Sequence, residues 1–203
     1  MKNSKHFIVV WVVMFLLNIA LGSVLLGQQQ PSEEEQKMMK LWLEYSTPGA
    51  NHKHLELFAG QWQAEGKFWA KPGAEPTTGH SEIKCEMIMQ GRYIKCDYKG
   101  NMMGMPYDGM MIIGYDNYKK QFMTLWIDST GTGFYLTAGT LDQTGKIRTE
   151  TGEWDDFMTG GKVGVKIATT LINADKYLFE MFMVDIATGK EFKNMEMIST
   201  RKK

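Results

Sequence analysis

From Gly60-Gln61-Trp62 to Arg201 the chain reads as one series of short β-strands. Turn residues recur about every ten to twelve positions, and no helix-period stretch interrupts them. This feature constrains the fold more than any other. A run of short antiparallel strands leaves exposed edges, and closing the sheet on itself removes them. The expectation is an all-β fold: about ten strands in an antiparallel up-and-down barrel, with an N-terminal amphipathic helix. The strands fall near 61–70, 78–89, 92–101, 107–115, 120–128, 133–141, 146–154, 162–171, 176–184 and 192–201.

Alternation assigns the faces. Ile83, Cys85, Met87 and Met89 share one side of the second strand, with Lys84, Glu86 and Gln90 opposite. After a turn at Gln90-Gly91, Arg92, Ile94, Cys96 and Tyr98 continue the inner face. In the seventh strand Ile147, Thr149 and Thr151 are read as inside, and Lys146, Arg148 and Glu150 as outside. Met110 to Ile113 and Phe122 to Ile127 are apolar on both faces and need cover on both. The cover is either the helix near 33–45 or a second copy pairing as a homodimer through strands 107–128. The helix is favoured because its own stripe of Met38, Leu41, Trp42 and Tyr45 must go somewhere. Ser32 and Glu35 form its capping box.

Three regions follow: 1–27, a spacer and capping helix at 28–59, and the barrel at 60–203. The first carries Lys2 and Lys5 ahead of an apolar run from Phe7 to Leu26. That pattern is an export signal, or an N-terminal anchor in an inner membrane if it is retained. The expected location is periplasmic or extracellular, with membrane contact only through this segment. Lys plus Arg equals Asp plus Glu at 23 each, so the basic excess of a nucleic-acid binder is absent.

Cys85 and Cys96 fall opposite each other across the turn at 90–91. They can bridge in an oxidising compartment or remain two buried thiols. Met87-x-Met89, Met103-x-Met105, Met181-x-Met183 and Met195-x-Met197 could offer soft ligands to Cu(I), but flexible lumen filling explains them better. His52-Lys53-His54 suggests half a zinc site, against a commoner capping role. No metal or cofactor is assigned. Arg92, Glu153 and Glu196 fall on or near inner faces, where buried charges need partners. No nucleophile elbow, zincin helix or phosphate loop is present.

Asn51-His52-Lys53-His54-Leu55, Gly60-Gln61-Trp62, Gly91-Arg92-Tyr93, Met103 to Gly109, Gly114-Tyr115-Asp116 and Trp126 to Ser129 together resemble the family called domain of unknown function 1579. The likeness covers about residues 33–202 and places the chain near the calycins. It implies a barrel and carries no agreed activity. In calycins Gly-x-Trp sets an indole across the closed barrel end, with a basic side chain from the last strand stacked on it. Trp62 and Arg201 would fill those roles. Nitrobindin-like members hold haem through a His near the C-terminus, and this chain has none there.

The expected function is the binding of a small lipophilic ligand in the lumen, at the end away from Trp62. Met87, Ile94, Tyr98, Phe179 and Met181 would supply apolar wall, with Arg92, Glu153 and Glu196 as the polar groups. A filled barrel without ligand is the alternative, and an enzyme using those Arg and Glu residues ranks last.

Overall fold

The computed structural model describes residues 30–102, 104–156, 160–186 and 188–203. The export segment at 1–27 lies outside them, as does Met103. Two compact units divide the chain, Met1–Lys40 and Leu41–Lys203.

Helix α1 spans Glu33–Ser46. Its start follows the capping box: the Glu35 amide donates to Ser32 Oγ at 3.3 Å, and the Ser32 amide donates back to the Glu35 carboxylate at 2.7 Å. Leu41, Trp42, Leu43 and Tyr45 are exposed. Tyr45 shares a pocket with Ile112 and Leu125 on the outer sheet face, where Met110, Ile112, Leu125 and Ile127 are half-buried, but Leu41, Trp42 and Leu43 bury little.

Helix α2 spans Ala50–Glu56. The Gly49 amide donates to His52 Nδ1 at 3.0 Å, so His52 satisfies a helix N-terminus. The His-Lys-His run is thus a capping and packing element. His54 stands edge-on to the rings of Phe58 and Phe122 at 5.6 and 6.1 Å.

Ten strands follow: β1 Gly60–Phe68, β2 Thr77–Ile88, β3 Tyr93–Met102, β4 Met105–Asp116, β5 Gln121–Asp128, β6 Tyr135–Leu141, β7 Ile147–Asp156, β8 Gly161–Asn173, β9 Lys176–Val184 and β10 Glu191–Arg201. Each pairs antiparallel with its sequence neighbours, and β1 pairs with β10 from Trp62↔Arg201 to Phe68↔Met195. The sheet is a closed up-and-down barrel, as its strand spacing implied.

Register fixes which side chains point inward. Trp62 lies opposite Ile83, Ile83 opposite Tyr98, and Cys85 opposite Cys96, which are joined as a disulfide. The β2–β3 loop is longer than the two-residue turn expected. Residues 89–92 all leave the strands, with positive φ at Met89, Gln90 and Gly91. The Cys85–Cys96 register is unchanged by this, but Arg92 moves out of the inner face.

The faces of β7 are the reverse of those expected. Gly139 pairs with Glu150 and Arg148 with Thr169, so Arg148 and Glu150 face inward, and both are buried. Ile147, Thr149 and Thr151 face out. With a side-chain period of two, a one-residue error in parity inverts a whole strand.

Candidate functional site in the barrel lumen

One end of the barrel is sealed by residues that the chain brings from both termini of the sheet. Trp62 is fully buried and donates from Nε1 to the Phe58 carbonyl at 2.8 Å. The Arg201 guanidinium lies 4.0 Å from the Trp62 ring centroid, a close cation–π contact. Arg201 also donates to the carbonyls of Ala59, Leu57 and Ala174, at 2.6, 2.8 and 3.1 Å. Gly60 is required here. Its φ is +124°, and a Cβ would meet Arg201 Nη1 at 2.6 Å. Leu55, Phe58, Phe122 and Tyr177 complete the plug.

Above this plug lies a cavity of about 750 Å³. It reaches from Phe58 and Arg148 at the sealed end to Ala70, Asp185 and Ile186 in the loops at the other. Ile186 is exposed, so the lumen opens at the end away from Trp62. Ile94, Tyr98, Phe179 and Met181 line it, together with Ile113, Ile167, Met183, Met195 and Met197. The methionines of β9 and β10 therefore form lumen wall. Trp126 reaches into the space because Gly109 leaves room for it: a Cβ there would meet the indole at 2.4 Å.

Four of the sequence-assigned residues do not line this space. Met87 is half-buried and packs against the core beside Ile94, opposite which it pairs. Arg92 sits in the β2–β3 loop and donates to the Ser46 carbonyl at 2.9 Å. Glu153 is exposed on the outer face of β7. Glu196 lies on the outer face of β10, opposite Glu180, and both carboxylates bind Lys193 Nζ. The internal charge network of Arg92, Glu153 and Glu196 is therefore not assembled.

A different polar group occupies the lumen, and the expected face of β7 concealed it. Glu150 is 1% exposed and Arg148 4%. Arg148 Nε donates to Glu150 Oε2 at 3.3 Å, and the Thr124 hydroxyl donates to Glu150 Oε1 at 2.7 Å. The guanidinium stands over the rings of Phe58 and Phe122 at 5.9 and 5.6 Å. One signal in the sequence could have located the pair. Trp154 shares the parity of 148 and 150, and an indole on an inner face draws those two inside.

Near the mouth, Trp126 Nε1 donates to Asp128 at 2.6 Å. Burial pushes the Asp128 carboxyl up, but hydrogen bonds from Thr130 and Trp126 outweigh it and hold the group below the usual range. Burial pushes the Tyr98 hydroxyl well above its ordinary value, so this group stays protonated on the wall. Among the described residues no three His, Cys, Asp or Glu side chains gather as a metal site.

A family model described as a protein of unknown function (DUF1579) matches residues 47–201. In structure, the chain is similar to the S-type phycobiliprotein lyase CPES from Guillardia theta. The TM-score is 0.57 at 9% identity, over 85% of this chain and 99% of that one. It is also similar to Rv2717c from M. tuberculosis, with a TM-score of 0.55 at 11% identity, over 77% of this chain and all of that one. At these identities the likeness is one of fold. No curated protein matches the sequence.

Proposed function

The chain belongs to the DUF1579 family, and from its lumen and its N-terminal sequence we propose that it is an exported binding protein that carries a small lipophilic molecule inside the barrel. The observation that carries the reading is the cavity. At about 750 Å³ it falls within the roughly 300–1,000 Å³ of small-molecule sites, and its walls are mainly Met, Ile and aromatic side chains. A barrel serving only as a filled scaffold would pack that space shut, because interiors approach crystal density. The enzyme reading loses its basis, since Arg92, Glu153 and Glu196 are not brought together.

Export is supported by Lys2, Lys5 and the apolar run from Phe7 to Leu26. The Cys85–Cys96 bridge suits an oxidising compartment. N-terminal sequencing of the mature protein should begin near residues 23–28, and a full-length chain held in the membrane would make the segment an anchor.

Binding is tested by native mass spectrometry of the gently purified protein, paired with a thermal-shift screen of lipophiles. A retained ligand, or a midpoint raised in proportion to ligand excess, is the expected result. Met181→Trp, which fills the lumen, should abolish it. No adduct and no shift across the screen would overturn the reading.

A further inference from the structure

The lumen contains a hydrogen-bond donor that nothing among the described residues satisfies. Arg148 Nη1 is buried at the deep end with no partner, on a side chain only 4% exposed that lines the cavity. A buried donor left unmade is costly, and a ligand acceptor placed there would remove that cost. Thr137 Oγ1 and Trp154 Nε1 are also buried without partners, and both line the same cavity. Arg148 and Trp154 share the inner parity of β7, six residues apart, or about 20 Å along a strand. Thr137 stands on the adjacent strand. The three that line the cavity thus follow one meridian from the floor toward the mouth, while Met and Phe fill the wall at β9 and β10.

The charge of the cavity then selects among acceptors. Arg148 is the one basic residue among the described residues that line it, and Glu150 already pairs with it. Asp128, Asp155, Asp156 and Asp185 line it as well, all at the mouth end, with Asp155 paired to Lys162 Nζ at 3.0 Å. A carboxylate ligand would pass an acidic rim and then bury a negative charge beside Glu150. A neutral oxygen acceptor would engage the free N–H without adding a charge that nothing balances.

Resting on the lumen-binding reading above, we infer that the ligand is an uncharged lipophile carrying a ketone, ester or similar carbonyl oxygen at its leading end, received by Arg148. Its apolar body fills the space beside β8 to β10. A second oxygen farther back meets Thr137 or Trp154.

Three probes of one shape test this on the full mature protein: methyl undecyl ketone, dodecanoate, and the isosteric branched alkane. Affinities come from midpoint shifts and native mass spectrometry at pH 7.5. The wild type should bind the ketone about tenfold or more tighter than either alternative, the usual worth of a hydrogen bond to a charged donor. Arg148→Met should lower the ketone to the level of the alkane. Glu150→Gln keeps an acceptor for Thr124 but leaves Arg148 unbalanced, so dodecanoate should become the tightest probe. The wild-type comparison needs no variant, so the test survives if either substitution unfolds the barrel. Equal binding of ketone and alkane overturns the acceptor inference and leaves the lumen reading standing. Dodecanoate bound as tightly as the ketone overturns the neutral-ligand inference alone. No binding of any probe defeats both.

Discussion

Trp62→Ala tests the closed end of the barrel directly. The indole is fully buried, and a side chain of this size removes on the order of 200 Å² from water. At about 25 cal/mol per Å² that is roughly 5 kcal/mol of transfer free energy, an upper figure because the alanine methyl remains and the denatured chain is compact. The Phe58 carbonyl also loses its donor at 2.8 Å, which costs about 1–3 kcal/mol if no water replaces it. Arg201 loses its ring but keeps three backbone carbonyls and the ion pair with Asp175, so it should stay in place. The net expectation is a loss of about 4–6 kcal/mol, at or slightly above the usual range for deleting a buried Trp. With m near 2 kcal/mol/M for urea, the unfolding midpoint should fall by about 2–3 M with m unchanged. A double-mutant cycle with Arg201→Met isolates the cation–π part, expected at about 0.5–2 kcal/mol. A midpoint shift under about 1 M would refute the idea that this indole seals the barrel.

Acidification should destabilise the fold through its histidines. Burial lowers the pKa of His52, with Arg92 adding to the effect and a Tyr115 backbone hydrogen bond opposing it. Burial and then Arg148 lower that of His54. The unfolded chain therefore takes up these protons first. Stability should fall as pH drops below about 6.5 and level off once the folded histidines also protonate. His54→Phe keeps the ring and removes one titration, so its melting midpoint should change less between pH 7.5 and 5.5; an unchanged difference contradicts the assignment. Gly109→Ala should displace the Trp126 indole at a cost of about 1–3 kcal/mol and alter its fluorescence, and a spectrum like the wild type would show that the indole does not need that gap. Cys85→Ala with Cys96→Ala should cost about 3 kcal/mol for a bridge spanning 11 positions, read as a lower urea midpoint that no longer responds to reductant.

The strand order and the barrel were legible because turn residues and period-two patterning agree along the whole chain. All ten strands lie within a few residues of their expected bounds. The polar interior was not legible in the same way. Arg148 and Glu150 look like an outward charged pair unless the parity of Trp154 is weighed, and the register with β6 and β8 shows that they neutralise each other inside. Glu196 shows the opposite error. Its neighbours Met195 and Met197 are inner-face residues, so parity alone assigns it to the outside. The place of Arg92 depended on loop length, and a four-residue β2–β3 loop gives the same Cys85–Cys96 register as a two-residue turn. Helix α1 has the periodicity of a packed helix, but periodicity does not specify what an apolar stripe meets.

The plug built from Trp62, Arg201 and Phe58 makes the lumen blind. Anything that enters past Asp185 and Ile186 must leave by the same rim, so the barrel cannot act as a conduit between two bodies docked at opposite ends. For the ligand proposed above, entry and exit would share one doorway and exclude each other in time. A body delivering that ligand at the rim would block one removing it, so transfer rates measured against the concentration of either should pass through a maximum.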